Sequence, residues 1–180
     1  MVRADDIRDL RTASPDYEET ERLKMLMGQL RGSRDPFYLA GADLDPIFRW
    51  KLTNQYERNR RFRDTNTDSA YRTITQAAFA VRESDADYEA ELRLGILASL
   101  RGVGVPVASA ILALVEPERY CAIDFRGWRV VFGEERRSFT VQQYLRYRRE
   151  VSRLAAELGW PVQETDLAVW EYDRRASARG

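Results

Sequence analysis

Few side chains in this sequence can do chemistry, and the absences decide as much as the residues present. The 180 residues include no histidine, which excludes a Ser-His-Asp triad, a histidine general base and a histidine-held metal. Cys121 is the one cysteine, too few for an internal disulfide or an iron–sulfur cluster. Carboxylate, amine and guanidinium groups remain. Asp124 stands between Ile123 and Phe125, where a helix should begin. A carboxylate there reads either as an N-cap, worth about 1 kcal/mol, or as a catalytic group. Lys51 and Lys24 are the only lysines. Lys51 reads as a solvated member of a basic stretch, or as an amine that reaches a cleft from another helix. Within 49–63, Arg49, Lys51, Arg58, Arg60, Arg61 and Arg63 face only Glu57 in opposition. The guanidinium fork suits phosphate, although an arginine bias is equally a matter of genomic composition.

The elements that must position Asp124 lie just before it. Leu92, Ile96, Leu97 and Leu100 recur at helical spacing, giving one helix an apolar face. Gly102 and Gly104 interrupt the pattern and permit a sharp turn. Pro106 suits the first turn of the next helix, whose apolar stripe is Ala108, Ile111, Leu112 and Val115 before Glu116-Pro117 closes it. Backbone N–H groups at such a turn lie bare at a helix start and favour an anion. By themselves the two glycines predict no more than a tight helix–helix connection.

The run Leu100-Arg101-Gly102-Val103-Gly104-Val105-Pro106-Val107-Ala108, followed by Ile123-Asp124-Phe125-Arg126, resembles the helix-hairpin-helix DNA glycosylase superfamily. That superfamily includes endonuclease III and the 8-oxoguanine glycosylases. The resemblance covers about a fifth of the chain. It implies an all-α, two-lobed fold whose cleft is lined by the hairpin and Asp124. It also implies duplex DNA as partner, with Arg101, Gly102, Val103, Gly104 and Val105 gripping the backbone and Asp124 catalytic. Cleavage of an N-glycosidic bond develops positive charge on the sugar, which a fixed anion stabilises, and the same carboxylate can help deprotonate water. Pro106 occupies the place of the nucleophilic lysine of glycosylase/lyases, which implies a monofunctional enzyme unless Lys51 supplies the amine. Family hairpins often hold a structural monovalent cation through carbonyls; no other cofactor or metal is implied. The four-cysteine cluster of some members is missing here.

A glycosylase also needs stacking surfaces for an extruded base. Trp50 and Trp128 are candidates for that pocket, though aromatics at helical spacing are more often core. Arg58, Arg61 and Arg126 are candidate phosphate contacts, with a solvated face or a carboxylate partner as the alternative for each. A non-enzymatic helix-hairpin-helix module that binds DNA or protein is the rival reading, helped by the net charge of +0. An unrelated helical bundle is a third.

The remaining patterns fit a single all-helical domain of about eight helices. The helix-hairpin-helix falls at about 91–116, and a second lobe comprises 136–180 together with the first helix. The first helix is expected from Ser14 and Pro15 to Gly32, and a loop or broken helix over 32–46. One helix should carry Phe48, Leu52, Tyr56 and the arginines to 64–66. The next should start at Thr67 or Asp68, with Ile74, Ala77, Ala78 and Val81 inward. Another begins at Ser84 or Asp85. A long helix follows Ser138 or Thr140 and stops at Gly159, and a last one starts near Thr165, fraying after Arg174. No run reaches the roughly 18 apolar residues of a membrane span, and no signal-peptide pattern opens the sequence. A monomer in the cytoplasm is the expectation.

Overall fold

A computed structural model describes residues 2–178. Among them are ten α-helices, two short 3-10 turns and no strand. In chain order the helices are α1 (Ala4–Ile7), α2 (Tyr17–Ser33), α3 (Gly41–Leu52), α4 (Tyr56–Arg63) and α5 (Asp68–Ala80). They continue with α6 (Ala86–Leu97), α7 (Val105–Val115), α8 (Phe125–Phe132), α9 (Val141–Leu158) and α10 (Val162–Ser177). The fold is all-α. No helix among the described residues is long and apolar enough to cross a membrane.

Helix α7 is the axis. Every residue from Val107 to Val115 is buried, as expected of a helix that is apolar on all sides. It packs against α2, α3, α6, α9 and α10, and its Val, Ile and Leu side chains each contribute about 1.5–3 kcal/mol on burial. One continuous core runs from Ile7 through α7 to Val169. Helices α1 and α9 both lie against α10, which also packs on α8.

Several expectations about boundaries need correction. Helix α2 starts at Tyr17 rather than at Pro15, because Ser14 instead folds back: its Oγ accepts from the Asp16 amide at 3.2 Å. The region 32–46 is not mainly loop. Helix α3 begins at Gly41 and contains Pro46; Asp43 accepts from the Ala40 amide at 2.7 Å, which starts the helix without a side-chain cap at residue 40. The expected single helix from Phe48 through the arginines is two helices, parted by a 3-10 turn at Thr53–Gln55. Thr53 has a φ of 42° there. Ala77 faces solvent rather than the core. The last helix starts at Val162, not near Thr165, and continues helical to Ser177; Arg179 and Gly180 lie outside the described residues. The caps at Thr67, Asp85, Asp124 and Thr140 follow expectation, each accepting from an amide of its own first turn.

A buried ionic cluster ties the end of α7 to its neighbours. Arg93 is fully buried, although it sits between Leu92 and Leu94 on α6. It bridges Glu89 at 3.0 Å and Glu116 at 2.9 Å and donates to the Val81 carbonyl at 2.9 Å. Arg119 reaches Glu89 at 2.8 Å, and Arg31 of α2 reaches Glu116 at 2.9 Å. Burial alone would raise both carboxyl pKa values, but the Glu83 amide and two guanidiniums at Glu89, and the guanidiniums around Glu116, outweigh it and hold both below their ordinary value. Such clusters specify geometry more than they add stability, and losing one member costs several kcal/mol.

Candidate functional site

The segment 120–124, between α7 and α8, is extended and anchored at nearly every residue. Tyr120 donates its hydroxyl to Glu89 at 3.2 Å. The Ala122 amide donates to Asp166 Oδ2 at 2.8 Å, while the Ala122 carbonyl accepts from Lys51 Nζ at 3.0 Å. The Ile123 amide donates to Ser109 Oγ at 3.2 Å, and that hydroxyl donates to the Pro106 carbonyl at 2.8 Å. These bonds tie the segment back onto α7 at Ser109 and fix the backbone that leads into Asp124.

Asp124 is half-buried and caps α8, its Oδ1 accepting from the Gly127 amide at 2.9 Å. It has no ion-pair partner among the described residues, and its other oxygen accepts no hydrogen bond from them. Gly127 is required for this arrangement. A Cβ there would collide with the Tyr147 hydroxyl and lie 2.9 Å from its Cζ. Tyr147 in turn donates to Asp166 Oδ1 at 2.5 Å. Asp166 is 8% exposed, and burial chiefly, with the Asp124 charge adding to it, pushes its pKa up to about 7 despite hydrogen bonds from Tyr147 and Ala122. Burial likewise raises the Tyr147 phenol and the Cys121 thiol well above their ordinary values.

The hairpin between α6 and α7 is locked from outside. Gly102 has a φ of 76°, and a Cβ on it would lie 2.8 Å from Arg63 Cγ; both facts demand glycine. Asn66 clasps Arg101 on both sides, its Oδ1 accepting from the Arg101 amide at 3.0 Å and its Nδ2 donating to the carbonyl at 2.9 Å. The Val103 amide is used internally, donating to Leu100 at 3.1 Å, and its side chain is buried. The amides of Gly102, Gly104 and Val105 donate to nothing among the described residues. They leave a set of N–H groups at the start of α7, suited to an anion.

The other predicted site residues separate into those that face solvent and those that do not. Arg58 and Arg61 are exposed on α4, and Arg61 stacks over Phe62 at 4.7 Å. Arg63, from the same basic stretch, is buried over the Phe48 and Tyr56 rings and donates to the Tyr56 carbonyl at 2.8 Å, so it is no phosphate contact. Arg126 is half-buried and paired with Asp173 at 2.8 Å, and Arg129 shares that carboxylate at 2.7 Å. Burial raises the Asp173 pKa, but the two arginines outweigh it and leave it lowered. Trp128 is 1% exposed, packed on Phe132 and Phe139, and so does not wall a base pocket. Trp50 is half-buried and pinned by its Nε1 to Thr20 Oγ1 at 3.0 Å.

Four participants were not evident beforehand. Asp166 sits in a helix where polarity reads as surface; Tyr147 falls on the packing face expected of its helix and is buried, but nothing in its spacing points to the site. Phe62, 47% exposed, and Phe125, 41% exposed and adjacent to Asp124, are among the aromatics left outside the core, with Tyr88 and Tyr172. The -Asp124-Phe125-Arg126- order was the available signal for Phe125. No group of three or more metal-ligating His, Cys, Asp or Glu side chains occurs among the described residues. A groove of about 470 Å³ lies elsewhere, lined by residues including Arg31, Arg34, Phe37, Phe79 and Arg82, with no member of the Asp124 cluster in its wall.

No family model, curated protein or solved structure matches this chain.

Proposed function

We propose that this protein is a monofunctional DNA glycosylase of the helix-hairpin-helix type. The observation that carries the reading is the Ile123–Ser109–Pro106 hydrogen-bond relay, which ties the residue before Asp124 to α7, the helix that the hairpin opens. Under this reading, that tie lets a carboxylate with one unengaged oxygen serve the same DNA strand as a hairpin whose amides at Gly102, Gly104 and Val105 are free. A DNA strand held by those amides and by Arg58 and Arg61 brings a sugar within range of Asp124. In the reaction the C1′–N bond breaks and its electron pair leaves with the base, which takes up a proton. The Asp124 anion opposes the positive charge growing on the sugar. Water then adds at C1′ and yields its proton to the carboxylate. The exposed rings of Phe62 and Phe125 supply stacking surface for an unstacked strand. Under this reading the cleft lies between two helical lobes, the middle of the chain forming one of them.

The rival, a non-enzymatic hairpin module, gains from one observation: Arg126 and Arg129 spend their charge on Asp173, which leaves fewer cations for DNA. A panel of duplexes, each with one modified base, separates the two. Base release from at least one duplex, with binding that weakens by about 0.9 log unit per phosphate contact for each log unit of salt, supports the enzyme. Salt-sensitive binding without release from any duplex supports the module.

A further inference from the structure

The peptide at Ala122 is gripped from both sides by side chains that come from different helices. Asp166 of α10 takes its amide at 2.8 Å, and Lys51 of α3 donates to its carbonyl at 3.0 Å. Behind Asp166 stands Tyr147 of α9, at 2.5 Å, and the same phenol fills the space left by the missing Cβ of Gly127. Gly127 is the residue whose amide fixes Asp124 Oδ1 at 2.9 Å. One buried pair thus touches the chain two residues before Asp124 and three residues after it.

We propose that Asp166, braced by Tyr147, is the positioning residue of the Asp124 site, holding the carboxylate's backbone from behind and adding a second negative charge beneath the sugar-binding side. The inference rests on the glycosylase reading and assigns the residues that make its carboxylate effective. A side chain with no catalytic bearing has no need to be an acid there. An amide of the same shape would satisfy both partners, accepting from Ala122 and donating to Tyr147. Burial of an acid instead costs free energy unless its charge is used. The charged and titratable groups that face Asp166 are Tyr147 on α9, Lys51 on α3, Asp124 at the head of α8 and Cys121 in the extended segment. With the Asp166 pKa at about 7, its ionised form accumulates across the neutral range. The added anion favours a transition state of growing positive charge, so base release should rise with pH through that point.

The test is single-turnover base release from pH 5.5 to 8.5 with the wild type, Asp166→Asn and Tyr147→Phe, alongside DNA affinity. Asp166→Asn keeps both hydrogen bonds, so affinity should stay within about twofold while the rate falls about tenfold and the inflection near pH 7 disappears. Tyr147→Phe removes a hydrogen bond that favours the Asp166 anion, so its inflection should move to higher pH. A merely structural acid would leave the profile's shape unchanged in both variants, and that result overturns the inference. A wild type that releases no base from any duplex overturns the glycosylase reading and the inference together. Activity with an unaltered Asp166→Asn profile overturns the inference alone.

Discussion

The Ile123 amide donates to the Ser109 hydroxyl at 3.2 Å across the face of α7. These residues are fourteen apart, and the bond is one of those that fix the backbone leading into Asp124. It acts with the bonds that hold Tyr120 and Ala122, so the segment after α7 is fixed at several points before Asp124. On the proposed reading, the amides at the head of α7 and the carboxylate at the head of α8 then act on one DNA strand.

The hairpin's shape should depend on Gly102. Alanine there meets a φ of 76° and an approach of 2.8 Å to Arg63 Cγ. Left-handed backbone costs about 1–2 kcal/mol for a residue with a Cβ. Gly102→Ala should therefore lower the unfolding free energy by at least that amount in urea titration, and weaken DNA binding beyond what the folded fraction explains. Unchanged affinity in the folded variant would remove the hairpin from the interface.

Asp166 should leave a mark on stability as well as on rate. Its pKa rises from the ordinary 3.8 to about 7 on folding. Below about pH 4 both states hold the proton and nothing is lost. Between about 4 and 7 the folded protein retains a proton that the unfolded chain has released, so stability falls as pH rises; above 7 the loss is complete, about 2–4 kcal/mol. Asp166→Asn cannot titrate. Its melting temperature relative to wild type should therefore increase by several degrees between pH 5 and pH 8, as scanning calorimetry at each pH would reveal. A constant difference would contradict a buried, neutral-range acid.

Lys51 tests the monofunctional assignment. Its amine is half-buried and engaged with the Ala122 carbonyl. Borohydride added during base release should trap no protein–DNA adduct, and Lys51→Ala should slow release modestly by freeing one side of the Ala122 peptide. A trapped adduct that disappears in Lys51→Ala would make the enzyme a glycosylase/lyase, with the amine as nucleophile.

Much of this arrangement was legible in the residues. The hairpin glycines, the apolar α7 and the capping aspartate all follow from local rules, because a turn, a periodic stripe and an N-cap are each set by neighbours in sequence. What could not be read was long-range. Asp166 occupies a helical position that local pattern treats as surface, and Tyr147, though on the expected packing face, shows its partner only when α10 meets α9 beside the 120–124 segment. Arg93 was hidden in part for the same reason: Glu89 lies one turn away on its own helix, but Glu116, at the end of α7, comes from elsewhere in the chain. Trp128 went the other way: an aromatic beside Asp124 looks available until Phe132 and Phe139 close over it. The split between α3 and α4 follows from Thr53, whose left-handed φ no propensity anticipates for a β-branched residue.

The most direct test of the central claim is single-turnover base release by wild type and Asp124→Asn on the modified duplex that the wild type processes best. Asparagine is as good an N-cap as aspartate, so the fold and the DNA affinity should persist. The account predicts a rate reduced by about 10²-fold or more with binding within about twofold. Equal rates in the two proteins would contradict it, because the carboxylate would then be only a helix cap.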